Sequence, residues 1–295
     1  MHLSSLATKP CHSQGVRQNC KVMCKLQRMS ARDPRDRLKL DRSPLIFVLA
    51  EVKFAPILNL AQTISALQDG LRRSGFPGFS EGQVHQIQIG HDTAPTFRTS
   101  SRWVFSSKDE TKNVTLTTDT ISVHTTAYDD FETFLDDFKG VFAALQELAA
   151  PDYADRVGLR YVDAILDVDN NPTDFFNEVM LSFTAEELGV QSLLSSQQIV
   201  AKTERGHLLI RMNQIQDAPL LPLDLNSPEL ASLAVVRPGI HAILDIDSSD
   251  ENRSAFSFAE IEERLWAIHR PASSAFWKSV TPAAIAQWGE KRASE

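Results

Sequence analysis

Cysteine is absent from residues 43–295, and the chain contains none of the short motifs that identify common catalytic sites. All three cysteines, Cys11, Cys20 and Cys24, lie in the first 42 residues. The rest of the chain therefore has neither a thiol nucleophile nor a disulfide framework. The spacing of these cysteines, with His12 beside Cys11, differs from the short paired spacers of structural zinc sites. We expect no metal site.

The missing motifs are the phosphate-binding loop GxxxxGK[ST], the dinucleotide fingerprint GxGxxG, the zinc motif HExxH and the nucleophile elbow GxSxG. The eight histidines are spread along the chain, without an i, i+3 or i+4 pair on one expected helix. The sequence therefore favours a protein without catalytic residues and without a cofactor, although a site assembled from distant positions would leave no motif.

Long hydrophobic runs are missing as well. LIFVLA (45–50) is among the longest apolar stretches, and a membrane-spanning helix needs about 20 apolar residues. The basic N-terminal region is not followed by the apolar segment of a secretory signal. We expect a cytoplasmic protein that does not associate with membranes.

The formal net charge of −8 is unevenly distributed. Residues 1–42 carry ten Lys or Arg and three Asp, a net of +7, which leaves 20 basic and 35 acidic residues, a net of −15, for residues 43–295. Because so acidic a body repels a phosphate backbone, we expect no strong nucleic-acid binding by it. Residues 1–42 show no fold signals of their own, so we expect a disordered leader, or a translation start at Met29.

Hydrophobic periodicity predicts strands and two long helices in the remaining chain. Strands are expected at segments such as PLIFVLAEVKF (44–54), RVGLRYVDAI (156–165) and IHAILDIDSS (240–249). One helix is expected to begin at a capping box of Asp129 and Glu132, and another is expected to end at Pro271. This order predicts an α+β fold of two related halves, 43–170 and 171–295, each a mostly antiparallel sheet packed by one long helix.

The strand RVGLRYVDAI carries an unusual set of charges. Alternation places Arg156, Gly158 and Arg160 on one face and leaves the other to a core row that includes Tyr161 and Asp163. The two arginines would stand about 7 Å apart, and a glycine between them leaves room for a ligand or another backbone. Two guanidinium groups over a bare patch suit a carboxylate or a phosphate.

A second interpretation of these arginines stays open. The strand IHAILDIDSS carries Asp245 and Asp247 at the same two-residue spacing, so these acids could face the arginines and hold the two halves together. Structural ion-pair networks gather charges in the same way, which favours this second interpretation. The candidate ligand-binding residues are therefore Arg156, Gly158, Arg160, Tyr161, Asp163, Asp245 and Asp247.

Six segments of the body together resemble a family of sporadically distributed prokaryotic proteins of unknown function. They are PLIFVLAEVKFAPI (44–57), SRWVFSS (101–107), DDFETFLDDF (129–138), RVGLRYVDAI, HAILDID (241–247) and AFWKSVTPAAIAQWG (275–289). The resemblance covers residues 43 to about 288, and GLRY (158–161) is its clearest motif. It implies no reaction, cofactor or catalytic residue. Such a patchy distribution implies mobile or accessory genes, for instance of stress or defence systems.

Two classes of function follow from these features. The first is a non-catalytic accessory or regulatory module that binds a protein partner or a small anionic ligand, and a homodimer is compatible with it. The alternative is an enzyme acting on a phosphorylated or carboxylated small molecule. In such an enzyme the arginines would hold the anion, and Asp163, Asp245 or Asp247 would serve as acid, base or Mg²⁺ ligand.

Overall fold

The computed structural model describes residues 38–88, 96–166, 172–181, 188–190 and 192–292. The larger compact unit of the chain spans Lys39–Lys291. Most of the predicted leader, including its cysteines, lies outside the described residues. Residues 38–42 belong to that predicted leader but are ordered, and the backbone of Asp41 donates to Gly289 O at 2.8 Å.

A ten-stranded sheet is the centre of the larger unit. Its main path runs β3-β4-β5-β6-β2-β7-β10-β9-β8, β11 adds to β7, and β1 and β12 form a separate two-stranded sheet. Each neighbouring pair in the large sheet is antiparallel. The strands are β1 (Leu38–Leu40), β2 (Leu45–Phe54), β3 (Gly78–Gln88), β4 (Thr96–Ser106), β5 (Lys112–Leu116), β6 (Thr120–Thr125), β7 (Tyr153–Ile165), β8 (Leu194–Lys202), β9 (Gly206–Pro219), β10 (Val236–Asp250), β11 (Ser254–Ala255) and β12 (Glu290–Arg292).

The α-helices cover one face of this sheet. They are α1 (Ile64–Arg73), α2 (Phe131–Leu148), α3 (Pro172–Phe175), α4 (Phe258–Ser279) and α5 (Pro282–Trp288), and short 3-10 helices span Leu60–Thr63, Glu178–Met180, Leu223–Leu225 and Pro228–Leu230. The apolar stripe of α2, from Phe131 to Leu145, is buried in the main core with strand residues such as Val157 and Ile246. Burial of such stripes is what holds amphipathic helices on a sheet.

The predicted α+β class with a mostly antiparallel sheet is confirmed, whereas the relation between two halves is not. β7, from the first predicted half, pairs with β10, from the second, over nine residues. Helix α4 packs against both of these strands. The strands of residues 43–170 and 171–295 therefore form one continuous sheet.

Two details of the predicted helices were wrong. The N-cap of α2 is Asp130 and not Asp129, because the Asp130 side chain accepts the Thr133 backbone N–H at 2.8 Å. Pro271 does not end α4, which continues to Ser279. Ile268 and Ala272, on either side of the proline, are buried in the main core. Their burial offsets the hydrogen bond that proline removes.

The connection between β9 and β10 crosses the opposite face of the sheet. We call residues 220–235 the strap. Leu221 and Leu230 of the strap pack on Phe47, Val162 and Ile243 in a second, smaller apolar cluster. The sheet thus separates a helix face from a strap face. None of the helices in the described part of the chain combines the length and apolar character needed to cross a bilayer.

Candidate functional site

The register of β7 and β10 places the predicted charges on one face. Asp247 pairs with Arg160, and Asp245 pairs with Val162. Because directly paired residues of antiparallel strands point to the same side, both aspartates lie on the strap face with Arg156, Gly158 and Arg160. Five of the seven candidate residues therefore share this face.

Two carboxylates accept hydrogen bonds from all three nitrogens of the Arg160 guanidinium group. Its Nε and Nη2 donate to the two oxygens of Asp245 at 2.7 and 2.8 Å. Its Nη1 and Nη2 also donate to Asp224 of the strap, at 2.6 and 3.1 Å. Arg160 is 7% exposed and Asp245 is fully buried. This geometry agrees with the second interpretation of the arginines, an ion-pair network. The strap supplies one of its carboxylates.

Arg211 of β9 extends this ion-pair network. Its Nη1 lies 3.4 Å from Asp245 Oδ2 and 4.0 Å from Asp224 Oδ1. The hydrogen bond from Arg160 lowers the pKa of Asp224 below its usual value. The fully buried Asp245 and the exposed Asp224 thus face two guanidinium groups, and the buried charge is paired, as buried charges must be. The network holds the strap against the middle of β7.

Arg156 is more open than Arg160. Its side chain is 32% exposed, and its Nη1 donates to Glu51 Oε1 of β2 at 2.9 Å. Its Nη2 stands 3.9 Å from Asp247 Oδ1, too far for a hydrogen bond. In the described part of the chain, Nη1 is the Arg156 nitrogen that donates a hydrogen bond.

The space above Gly158 is filled by Arg156 itself. A Cβ at this position would lie 2.8 Å from Arg156 Nη1. The sequence predicted that a ligand or another backbone would approach this glycine, and the structure places the neighbouring guanidinium there instead. The guanidinium group of Arg156 therefore lies over Gly158, between Glu51 and Asp247.

A second cation stands next to Arg156. Lys53 of β2 is its register partner and is exposed on the same face, with Thr120 of β6 on its other side. Burial raises the pKa of Glu51 and of Asp247, more than the charge of Arg156 lowers either of them. We call Lys53, Arg156, Glu51 and Asp247 the open cluster.

Tyr161 and Asp163 lie on the helix face, away from the arginines. Tyr161 Oη is hydrogen-bonded to His269 Nδ1 of α4 at 2.8 Å, and the Phe131 ring stacks on His269 at 3.9 Å. Burial lowers the pKa of His269 to about 3. Burial, with a smaller contribution from the charge of Asp245, raises the pKa of Asp163 to about 8. The structure therefore separates these two candidates from the other five.

Two further ion pairs were missed by sequence reasoning. Arg102 of β4 holds Glu229 of the strap by two hydrogen bonds of 2.8 Å. Arg264 of α4 is almost fully buried, and its Nε lies 3.3 Å from Asp250 Oδ2, while its Nη2 donates to the backbone oxygen of Asp250 at 2.9 Å. A signal existed for Arg264, because it follows Ile261 by three positions and so lies on the apolar stripe of the helix.

The described residues beside this network do not form a metal-binding cluster. Within the described ranges, no three His, Cys, Asp or Glu side chains are placed to hold a metal ion. A shallow depression of about 530 Å³ lies elsewhere, between the end of α1, the β4–β5 turn and α2. Its Lys112 Nζ and Asp137 Oδ2 pair with each other at 2.6 Å.

No protein-family model matches this chain, and no curated protein or solved structure shows significant similarity to it. The resemblance of the sequence to a family of unknown function therefore stays a prediction, and the functional argument rests on the geometry of the strap face.

Proposed function

We propose that the protein is a non-catalytic accessory or regulatory binding module whose open cluster receives an anion. The anion is a carboxylate or a phosphate, on a small ligand or on a protein partner. The observation that carries the proposal is the pairing of Lys53 with Arg156 on neighbouring strands of an accessible face. Like charges directly opposite each other destabilise a sheet, and an anion held between the two would reverse that effect.

The contacts of Arg156 suit this role. Glu51 holds Nη1, so the guanidinium plane is already oriented over Gly158 before a ligand arrives. Nη2 remains at 3.9 Å from Asp247 and can donate to a ligand oxygen. A planar guanidinium favours two-point contact with a carboxylate or a phosphate, and a fixed orientation lowers the entropy that binding costs.

Arg160 does not share this role in our proposal. An anion that reached Arg160 would have to displace Asp224, which holds that guanidinium at two points. It would also approach the buried charge of Asp245. The Arg156 side of the strap face lacks such a competing pair of bonds, so the anion site is centred there.

The test is a thermal-shift titration with inorganic phosphate and with malonate. Either anion should raise the melting temperature of the wild-type protein. The shift should disappear in Arg156→Gln and shrink in Lys53→Gln, which remove one cation each. Arg253→Gln is the matched control, because Arg253 is also exposed but pairs with Asp155, which does not belong to the open cluster. Equal shifts in the Arg156 variant and the control would contradict the proposal.

A second candidate function, an enzyme acting on a phosphorylated or carboxylated molecule, is favoured by Glu51. This carboxyl group touches Arg156, and burial raises its pKa towards the range useful for proton transfer. Incubation with phosphorylated and carboxylated metabolites, followed by ³¹P and ¹H NMR, tests it. New resonances that vanish in Glu51→Gln would favour the enzyme, and their absence would favour the binding module.

We further propose that the module acts in the cytoplasm, as an accessory of a mobile stress or defence system. The net charge of −15 over residues 43–295 argues against nucleic acid as the partner. This assignment predicts that the purified body does not retard a DNA fragment at physiological salt.

A further inference from the structure

Strand β8 ends the described sheet with a row of unpaired backbone groups. At one end Gln216 N donates to Leu193 O at 3.1 Å, and at the other Thr203 N donates to Gly206 O at 2.8 Å. Odd-numbered residues of this segment therefore bond to β9. Because hydrogen bonding alternates along an antiparallel strand, the even-numbered residues turn their N–H and C=O groups outward. These are Leu194, Ser196, Gln198, Val200 and Lys202.

Apart from Lys202 at its end, this edge lacks the devices that usually protect an edge strand. Natural edges carry charges, prolines or bulges that block further pairing. β8 reads LSSQQIVAK, with Lys202 as its single charged residue, and it has neither proline nor aspartate nor glutamate. Leu194 and Val200 are 62% and 63% exposed.

Exposed apolar side chains are concentrated in the stretch of sequence that leads into β8 and forms it. Of the 13 large apolar residues exposed in the described chain, seven fall between positions 179 and 200: Val179, Leu188, Val190, Leu193, Leu194, Ile199 and Val200. Leu194 and Val200 lie on the same face of β8, and apolar residues exposed together in this way indicate an interaction site, whereas single exposed residues need no explanation.

We propose that β8 pairs antiparallel with β8 of a second copy of this chain, about a two-fold axis at Gln197. This register places Leu194 opposite Val200 of the other copy and Ser196 opposite its Gln198, and the symmetry repeats both pairs. All four positions are even-numbered, so their outward N–H and C=O groups meet and form about eight hydrogen bonds. The two most exposed apolar residues of the strand then bury each other, and the two sheets become one.

Charge argues for a second copy as the occupant. The chain carries a net charge of −8, so two copies repel each other over most of their surface. Residues 192–203 contain no acidic residue, and in the proposed register Lys202 faces Ser192 of the other copy. The opposite edge strand, β3, carries the exposed Glu81 instead. β8 is therefore the edge at which two copies can meet without like charges in register.

Sedimentation equilibrium of the full-length chain tests this interface independently of the anion site. The wild-type protein should reach twice its mass of 32.9 kDa as concentration rises. Val200→Lys and Leu194→Glu, made separately, should each weaken the dimer about tenfold or more, since each leaves a charge opposite an apolar residue. The double variant should regain most of the affinity, because positions 194 and 200 face each other across the axis.

Gln83→Lys on β3 is the matched control and should dimerise like the wild type. Circular dichroism should show unchanged folding for every variant, because positions 194 and 200 are exposed within one copy. A wild-type chain that stays monomeric at all concentrations would overturn the proposal. So would single variants that dimerise normally, or a double variant as weak as the singles.

Discussion

At the scale of single residues, Arg156 and Arg160 differ in their surroundings although they lie two positions apart on one strand. Arg160 contacts two carboxylates by two hydrogen bonds each, and one of these carboxylates is fully buried. Arg156 donates to Glu51 and is a third exposed. A buried pair is costly to break, whereas an exposed pair contributes little. Arg156 should therefore matter for ligand binding, and Arg160 should matter for stability.

Arg160→Gln should therefore lower the free energy of unfolding by about 3 kcal/mol or more, because it leaves Asp245 buried with Arg211 as its nearest cation. Arg156→Gln should change it by less than about 1 kcal/mol. Urea denaturation measures both values. Adding Asp245→Asn to Arg160→Gln should recover part of the loss, and a double variant less stable than the single would contradict the pairing.

Asp163 gives a prediction about pH. Burial raises its pKa to about 8 in the folded protein, whereas the unfolded chain releases the proton near pH 4. The contribution of Asp163 to stability is thus fully present below pH 4 and is lost as the pH rises to 8. The slope is at most about 1.4 kcal/mol per pH unit.

Asp163→Asn removes this titration, so the stability of the variant relative to the wild type should rise between pH 4 and 8 and then level off. Urea denaturation at pH 5, 7 and 9 provides the comparison, and other titrating groups cancel in the difference. A difference that stays constant across the three pH values would show that Asp163 ionises normally.

At the scale of elements, the strap connects distant parts of the sheet. Asp224 binds Arg160 on β7, and Glu229 binds Arg102 on β4, while Leu221 and other leucines pack on the sheet between them. Burial alone would raise the pKa of Glu229, but the hydrogen bonds from Arg102, its own backbone N–H and Ser227, together with the charge of Arg102, outweigh burial and lower that pKa to about 2. The stabilising contribution of the Glu229–Arg102 pair is therefore fully present above pH 4.5 and is lost as the pH falls through 2.

Glu229→Gln should loosen the strap without unfolding the sheet. Amide hydrogen exchange should become about tenfold faster at Leu225, Leu230 and Leu233, because a hydrogen bond to a charged group contributes about 1.5–3 kcal/mol. Exchange in β7 and β10 should not change. Glu178→Gln, at an exposed position, is the control. Equal protection of the three strap amides in both variants would show that Glu229 does not hold the strap.

The sequence predicted the strands better than the connections, for a physical reason. Side chains alternate along any strand, so the placement of Arg156, Gly158 and Arg160 on one face followed from the pattern alone. The partner Asp224 lies 64 positions from Arg160 in a segment that reads as a loop. No local rule states which face of a sheet a long connection crosses. Gly158 was misread because the occupant of its open side was its neighbour on the same strand.

At the scale of the whole molecule, the continuous sheet implies a single folding unit. β7 and β10 join the two predicted halves through nine residue pairs, and α4 packs on both strands. Separating the halves would expose Leu159, Ile246 and other fully buried residues. Because exposing these residues is unfavourable, we expect the two halves to unfold together.

Calorimetric unfolding should accordingly show one transition whose calorimetric and van't Hoff enthalpies agree. Because a dimer makes the melting temperature depend on concentration, the scan is best made with Val200→Lys. Two separate transitions in that variant would indicate that residues 43–170 and 171–295 fold as independent domains.

The most direct measurement of the central claim is the NMR signal of the arginine side chains during a titration with inorganic phosphate. The Nε–H resonances of Arg156 and Arg160 are assigned by their disappearance in Arg156→Gln and Arg160→Gln. If the open cluster binds an anion while the strap closes off Arg160, the Arg156 resonance shifts in a saturable manner and the Arg160 resonance does not move. A shift at Arg160 alone, or no shift at either arginine, would contradict the account.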